Sequence, residues 1–402
     1  MENRLLHTPE GVRDIYGEEY LKKLYLQDTL HQQIKSYGYM DIMTPTFEFF
    51  DVFSKEIGTT PSKELYKFFD KENNTLVLRP DFTPSVARAA AKYFMEEEQP
   101  IRLSYLGNTF TNRSDLQGKL KEVTQIGAEC IGDGSVEADA EMISIVIESL
   151  LKAGLQDFQV SIGEVEYFKG ICESAGIGEA TELELREQIS NKNYFGTEEI
   201  LDDCNLDNTT RERIMKVTEL FGTVEILKQA EQNAGNERSI RAVSRLKALY
   251  EMLVCYGIEK YVTFDLGMLS KYHYYTGIIF RAYTFGTGDA VVKGGRYDGL
   301  LRKFGKDSPA IGFVIVIDQL MSAMLRQKID MPTEGNYVPL LYTQDSVKEA
   351  IAFAKKMRAD GYDVELIQKK ESSNIRDYIL FGKDKLIVKA YLAEKKEIRE
   401  II

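Results

Sequence analysis

The strand-type segments of this 402-residue chain come in neighbouring pairs joined by short polar loops, and this arrangement most constrains its fold. Residues 65–69 and 75–78 form one such pair across a turn at 70–74, and residues 103–111 and 121–130 form another. Strands joined in this way run antiparallel, whereas parallel strands need a longer crossover. Helical patterns surround these pairs, so the sequence predicts an α+β protein whose mostly antiparallel sheet is flanked by helices.

The periodicity of apolar residues divides the chain into a large part and a small C-terminal part. Residues 165–258 are highly charged and helical in pattern, without strand alternation, and are interpreted as an inserted helical subdomain. Pro332 and Gly335 mark a linker, after which a strand, a helix and a strand indicate a small α/β unit. The expected domains are therefore a core over 1–325 that contains the insertion, and a C-terminal α/β domain over 333–402.

Composition excludes several classes of protein. Hydrophobic residues make up 44% and charged residues 28%, as in a globular protein. No apolar run approaches the ~18 residues of a membrane span, and no signal-peptide pattern occurs, so a cytoplasmic protein without membrane association is expected. The net charge of −12 gives no support to nucleic-acid binding. Three histidines and four widely spaced cysteines fit neither a zinc site nor a disulfide framework, so no metal and no cofactor are expected.

The segment 123–130, V-T-Q-I-G-A-E-C, places a carboxamide and a carboxylate on one face of a strand. Side chains alternate along a strand, so Gln125, Gly127 and Glu129 share a face, and the glycine leaves room between the other two. Taken alone, two such residues more often belong to a solvated strand face than to a pocket. Their neighbours in the sequence therefore decide the interpretation.

Three further segments accompany this strand in a fixed order. L-R-P-D-F-T occupies 78–83, Y-Y-T-G occupies 274–277, and G-G-R-Y-D-G-L occupies 294–300. Together with Q-x-G-x-E they resemble the histidine-recognition segments of histidyl-tRNA synthetase, and roughly the first 325 residues resemble its catalytic core. The resemblance implies a class II aminoacyl-tRNA synthetase-like fold with a pocket for histidine. It places the histidine-binding residues at Asp81, Thr83, Gln125, Glu129, Tyr274, Tyr275, Gly294, Gly295 and Arg296.

The chemistry of a free amino acid fits this assignment. Asp81, Thr83 and Gln125 can accept hydrogen bonds from an ammonium group. Glu129 and Tyr275 can bracket an imidazole ring. Asp81 stands where the synthetases have a glutamate and is one methylene shorter, so the affinity for the amino acid is expected to differ.

Three arginines of the synthetase family are absent from this chain. Thr111 stands where an arginine grips the α-phosphate of ATP, and Gln319 where another grips the γ-phosphate. Ser270 replaces the arginine of the catalytic R-G-L-D-Y-Y segment. Charge-assisted contacts contribute roughly 1.5–3 kcal/mol each, so adenylation without them would be slower by many orders of magnitude. The amino-acid pocket is retained, whereas the groups that bind ATP are not.

This combination resembles the ATP phosphoribosyltransferase regulatory subunit family, whose members are paralogues of the synthetase. The region 333–402 is also shorter than a synthetase's anticodon-binding domain. The resemblance implies a non-catalytic subunit that activates the short-form catalytic subunit in the first step of histidine biosynthesis. It also implies feedback inhibition through bound L-histidine, no catalytic residues of its own, and a homodimer within a hetero-oligomer.

Two other functions stay open from the sequence. A divergent histidine–tRNA ligase would catalyse histidine-dependent ATP–pyrophosphate exchange, and the missing arginines argue against it. A synthetase-like amino-acid sensor would prefer another amino acid or assemble with a different partner.

Overall fold

The computed structural model describes residues 4–54, 60–112, 119–204, 206–269, 275–333, 335–370, 378, 387–394 and 397–402. Contacts along the chain define two compact units, Met1–Arg13 with Leu26–Asp330 and Asp14–Tyr25 with Met331–Ile402. Within the described ranges, no helix is both long enough and apolar enough to cross a lipid bilayer.

The described residues form eleven α-helices and sixteen strands. The helices are α1 Gly17–Ser36, α2 Thr83–Tyr93, α3 Val136–Lys152, α4 Val165–Ser174, α5 Glu179–Ser190, α6 Tyr194–Asp203, α7 Asn208–Val217, α8 Ile226–Ala234, α9 Glu237–Tyr256, α10 Ile317–Arg326 and α11 Val347–Ala359. The strands are β1 Met40–Asp41, β2 Phe47–Phe49, β3 Lys67–Phe69, β4 Thr75–Leu78, β5 Ile101–Phe110, β6 Glu122–Ile131, β7 Phe158–Glu164, β8 Phe221–Gly222, β9 Val262–Asp265, β10 Ile278–Thr284, β11 Val292–Arg296, β12 Ala310–Val316, β13 Tyr337–Tyr342, β14 Asp363–Gln368, β15 Tyr391–Glu394 and β16 Glu397–Glu400.

A nine-stranded sheet is the main element of the first unit, with the order β1-β5-β6-β12-β11-β10-β7-β9-β8. The six strands from β5 to β7 in this order all pair antiparallel. Parallel pairs occur between β1 and β5 and between β7 and β9. The expected α+β fold with a mostly antiparallel sheet is confirmed, and the expected pair at 103–111 and 121–130 forms β5 and β6.

The other expected strand pair belongs to a separate, three-stranded sheet. Strands β3 and β4 pair antiparallel, and β2 joins the other edge of β4. One side of this sheet covers a small core that contains Val52, Phe53, Leu65 and Val77. Aromatic side chains of β2 and β3 stay largely exposed on the strands, so this sheet is covered less completely than the large one.

The described part of residues 165–258 is helical, from α4 to α9, as the charge and periodicity predict. Local chemistry sets the ends of α9, where the Asn236 side chain accepts a hydrogen bond from the Ser239 backbone N–H and Gly257 adopts a φ of +71°. This segment also contains β8, which pairs with β9 and extends the large sheet. A strand of two residues is too short to show alternation in a sequence.

The second unit contains a four-stranded sheet in the order β14-β13-β15-β16. Strand β13 runs parallel to both β14 and β15, and α11 follows β13 along the chain. Its core includes Val338, Leu340, Ala350 and Ala354 from the central strand and the helix. The strand–helix–strand pattern expected after the linker is present, and β15 and β16 add two strands that the sequence pattern did not predict.

Helix α2 is held against the large sheet by aromatic stacking. Pro84 occupies its first turn, where a missing N–H costs nothing. The ring of Phe82 stacks on that of Tyr105 in β5, with 4.4 Å between centroids and 13° between planes. Val86, Ala87 and Ala90 then join the same core. This packing brings the start of α2 next to the middle of β6.

Candidate functional site

A cavity of about 410 Å³, called here the first cavity, lies where β6, β11 and β12 meet the start of α2. Strand register brings its walls together, because Val316 of β12 pairs with Gln125, and Gly312 pairs with both Glu129 and Gly295. Six of the nine residues expected to bind a ligand line it, namely Asp81, Thr83, Gln125, Tyr275, Gly294 and Gly295. The structure thus assembles four segments that are far apart in the sequence.

Gln125 offers a hydrogen-bond acceptor to the first cavity. Its Oε1 atom is buried, and among the described residues no donor lies within hydrogen-bonding distance of it. Buried polar side-chain atoms in proteins nearly always have a partner. This oxygen therefore marks a position where the donor group of a ligand would be stabilised.

Glu129 lies behind the wall of the first cavity and is fully buried. Its Oε1 accepts hydrogen bonds from the hydroxyls of Thr83, at 2.8 Å, and Tyr105, at 3.2 Å. Its Oε2 accepts one from the hydroxyl of Tyr297. Burial raises the pKa of Glu129 to about 8, although the three hydroxyls oppose this shift. Because Thr83 and Tyr297 line the cavity and Glu129 does not, the carboxyl group acts on the cavity through their hydroxyls.

Gly127 makes room in β6, as expected, but the room is filled from within the protein. A Cβ atom at this position would lie 2.5 Å from the Tyr105 hydroxyl and 2.3 Å from the carbonyl oxygen of Phe313. The Tyr105 side chain lies over Gly127 because these two residues are direct partners between β5 and β6. The absence of a side chain at Gly127 therefore allows the Tyr105 hydroxyl to reach Glu129.

The ring of Tyr275 lies against the backbone of Gly295. A Cβ atom at Gly295 would approach Cε1 of this ring to 2.6 Å, so a larger residue would displace the tyrosine. Tyr275 also packs against a buried apolar cluster that includes Met268 and Ile279. Its position is therefore set by packing on two sides. Tyr274, its expected companion, lies outside the described residues.

The structure does not bring Arg296 to the first cavity. Its guanidinium group binds the carboxylate of Asp139 through Nε at 2.9 Å and Nη2 at 2.6 Å, and donates to the carbonyl oxygen of Asp133. The side chain is buried and borders a different cavity. Successive side chains of a strand point to opposite faces, so Arg296 faces away from the side on which Tyr297 contacts Glu129.

Two tyrosines of this site were missed by the sequence analysis. Tyr297 belongs to the G-G-R-Y-D-G-L segment, so its motif was a usable signal. Tyr105 carries no motif, and only the register of β5 against β6 shows that it reaches Glu129.

The first cavity also includes the positions at which a synthetase has ATP-binding arginines. Thr111 and Gln319 line it, and Ser270 lies outside the described residues. The Oε1 atom of Gln319 is buried with no hydrogen-bond donor near it among the described residues. Lys119, Lys293 and Arg326 also line the cavity, where Lys293 pairs with Asp289 at 3.1 Å and Arg326 donates to the Gly286 carbonyl at 2.7 Å. At positions 111 and 319 themselves, neutral side chains stand where a synthetase has an arginine.

Comparison with known proteins agrees with this geometry. A family model described as histidyl-tRNA synthetase matches residues 11–320. A histidyl-tRNA synthetase from Nostoc sp. PCC 7120 superposes with a TM-score of 0.79 at 21% identity, covering 98% of this chain and 96% of that one. The fold therefore defines a protein of the histidyl-tRNA synthetase-like class, and the class II synthetase-like architecture expected from the sequence is confirmed.

More similar proteins carry a different name. An ATP phosphoribosyltransferase regulatory subunit from Acetivibrio thermocellus is 40% identical over 361 residues, which cover 90% of this chain and 86% of that protein. One from Clostridium kluyveri is 35% identical over 387 residues, covering 94% and 97%. A crystal structure named as an ATP phosphoribosyltransferase regulatory subunit/histidyl-tRNA synthetase from Bacillus halodurans superposes with a TM-score of 0.86 at 32% identity, covering 97% of this chain and 99% of that one. The chain belongs to the family of ATP phosphoribosyltransferase regulatory subunits.

Proposed function

We propose that this chain is the non-catalytic regulatory subunit of an ATP phosphoribosyltransferase. In this function it assembles with the short-form catalytic subunit, supports its activity in the first step of histidine biosynthesis, and conveys feedback inhibition by L-histidine. One observation carries the proposal: the first cavity keeps groups suited to a free amino acid, while Thr111 and Gln319 stand where ATP-binding arginines are needed. The relatives named as regulatory subunits support the same function.

The ammonium group of L-histidine is placed by acceptors on one side of the first cavity. Gln125 presents a buried oxygen without a donor among the described residues, and the carboxylate of Asp81 lines the same cavity. One oxygen of Asp81 accepts a hydrogen bond from the Thr83 backbone N–H at 3.2 Å, which orients the carboxylate. A carboxylate and a carboxamide oxygen together favour a positively charged donor.

The imidazole ring is placed by Tyr275 and by two hydroxyl groups. The hydroxyls of Thr83 and Tyr297 both donate their hydrogen to Glu129. Both residues line the first cavity, and a hydroxyl oxygen can accept a hydrogen bond from an imidazole N–H. Glu129 is a positioning residue in this arrangement, because it fixes which way both hydroxyls point.

We also propose that a second copy of this chain covers the three-stranded sheet. Exposed aromatic side chains on one face of its strands include Phe47, Phe49 and Phe68, of which Phe49 is 57% exposed. Phe47 packs edge to face with Phe68, with 5.8 Å between ring centroids, so these rings form one patch. Clustered exposed aromatic rings are typical of protein–protein contacts. Replacing Phe47 and Phe49 with serine should convert a dimer to a monomer, as measured by light scattering coupled to size exclusion.

Reconstitution tests the proposed function. Phosphoribosyl-ATP formation by the short catalytic subunit is measured with and without this chain, and L-histidine is then titrated. We expect activation by this chain, reversed by L-histidine. In the Gln125→Ala variant activation should persist, while half-inhibition should need roughly tenfold more L-histidine because one hydrogen bond to a charged group is lost.

The matched control is Gln232→Ala, which removes an exposed glutamine from α8 and should leave the histidine response unchanged. No activation and no complex would overturn the proposal. Histidine-dependent ATP–pyrophosphate exchange would then identify a divergent ligase. Tight binding of another amino acid would instead identify a sensor with a different partner.

A further inference from the structure

A second cavity, of about 590 Å³, lies in the first unit between α4, α9 and the ends of the neighbouring strands. It is bordered by Glu164, Arg238, Arg241, Arg245 and Arg296. None of these residues lines the first cavity. The function proposed above assigns no use to this space, whose volume is in the range of small-molecule sites.

The deepest polar group of the second cavity is the carboxyl of Glu164, at the end of β7. Only 1% of this residue is exposed. One oxygen, Oε1, accepts a hydrogen bond from the Glu166 backbone N–H at the start of α4, at 3.3 Å. The other, Oε2, is buried and has no hydrogen-bond partner among the residues that the structure describes. Burial raises the pKa of Glu164 to about 8, and an ammonium group beside Oε2 would favour the ionised form of this carboxyl.

The walls of the second cavity are held in place by ion pairs. Arg238 donates to Glu166 and to Glu173, each at 2.7 Å. Arg245 donates through Nε to Asp139 at 2.9 Å, and the same carboxylate binds Arg296. Such networks restrict side-chain motion, so the cavity has a fixed shape before any ligand binds.

Arg241 is different from the other arginines of this cavity. The spacing of 238, 241 and 245 places all three on one face of α9. Arg241 pairs only weakly with Glu237, at 3.5 Å, and the two side chains are 70% and 93% exposed. An exposed pair of this kind contributes little, so the guanidinium can bind an anion at small cost.

We propose that the second cavity binds a small zwitterion of the amino-acid class. Its ammonium group donates to Oε2 of Glu164, and its carboxylate binds Arg241 at the cavity mouth. A simple anion would leave the oxygen of Glu164 without a donor, and a simple cation would leave Arg241 unused. Both features are satisfied together only by a ligand with opposite charges at its two ends.

The test measures binding of the proteinogenic L-amino acids to the full chain by calorimetry, with inorganic phosphate and methylamine as single-charge probes. All variants carry Gln125→Ala, which weakens binding in the first cavity. We expect at least one amino acid to bind this protein, and Glu164→Gln to weaken that binding roughly tenfold or more. Arg241→Met should weaken it several-fold, and it is exposed enough to leave folding intact.

Matched controls are available for both substitutions. Glu259 also has a buried oxygen without a partner among the described residues, but it does not border this cavity. Arg302 is an exposed arginine that pairs with Asp307 elsewhere. Glu259→Gln and Arg302→Met should leave the affinity unchanged.

Three results would overturn this proposal. In the first, Glu164→Gln changes the affinity for none of the amino acids that bind. In the second, phosphate or methylamine binds as tightly as the amino acids do. In the third, no amino acid binds to the protein that carries Gln125→Ala. If L-histidine does not inhibit the reconstituted enzyme, that result counts against the proposed function of the first cavity alone. The two proposals can therefore fail separately.

Discussion

Glu129 and Glu164 are buried carboxyl groups in strands of the same sheet, and burial raises the pKa of each to about 8. Their surroundings differ in one respect. Both oxygens of Glu129 accept hydrogen bonds from side-chain hydroxyls of the protein. One oxygen of Glu164 accepts a backbone hydrogen bond, and the other has no partner among the described residues.

This difference separates two uses of a buried acid. A carboxyl group whose partners are all internal organises its neighbours, and here it fixes the hydroxyls of Thr83 and Tyr297 that line the first cavity. A carboxyl group with a vacant acceptor is open to an external donor. Similar pKa values therefore do not imply similar roles, and hydrogen-bond partners have to be counted oxygen by oxygen.

Among the single substitutions, the largest effect is expected from Glu129→Ala. The substitution leaves the buried hydroxyls of Tyr105 and Tyr297 without their acceptor. Each unsatisfied group costs about 1–3 kcal/mol, so the free energy of unfolding should fall by about 4 kcal/mol. Equilibrium urea unfolding measures this loss. Glu129→Gln, which keeps one acceptor oxygen, is the control and should lose less; equal losses in both variants would contradict the role given to the hydroxyls.

The next effect concerns pH. Both carboxyls titrate near 4.5 in the unfolded chain and near 8 in the folded protein, so between these values the folded protein binds more protons. The free energy of unfolding should therefore fall as pH rises from about 5 to 8, by about 1.4 kcal/mol per pH unit for each group. Urea unfolding at several pH values measures the slope. Glu129→Gln and Glu164→Gln should each reduce it, and an unchanged slope in either variant would show that burial does not shift that group.

A smaller effect is expected from Glu164→Ala. This change removes one long hydrogen bond to the start of α4, which resembles the loss of a helix cap and costs about 1 kcal/mol. The same urea unfolding experiment applies. A loss as large as that of Glu129→Ala would mean that Glu164 has structural partners after all, and the contrast between the two acids would not hold.

The smallest effect is the coupling between the two acids. Strand register connects Glu129 of β6 across the sheet through Gly312, Gly295 and Ile279 to Gly163 of β7, the residue before Glu164. Four strand spacings separate the acids by about 19 Å. The double variant Glu129→Gln/Glu164→Gln should therefore lose stability additively, within about 0.5 kcal/mol. A larger coupling energy in the double-mutant cycle would indicate that the two cavities communicate.

Sequence patterns were informative about elements and motifs for a physical reason. Alternation in 121–130 and helical periodicity in 165–258 are local properties, so they predicted β6 and the helices from α4 to α9. The same alternation correctly placed Gln125 and Glu129 on one face, and their depths came only from the structure. Missing arginines can be counted without coordinates, and they distinguished this chain from the synthetases.

By itself, the sequence determined the fold class, the strand that carries Gln125 and Glu129, and the loss of arginines at Thr111 and Gln319. Only the tertiary structure decided that Tyr105 and Tyr297 enclose Glu129, and that Arg296 turns to a second cavity. The reason is that these contacts depend on strand register and packing between residues far apart in the chain. Local periodicity defines the face of a strand on which a side chain lies, and the neighbouring strands decide what that side chain meets.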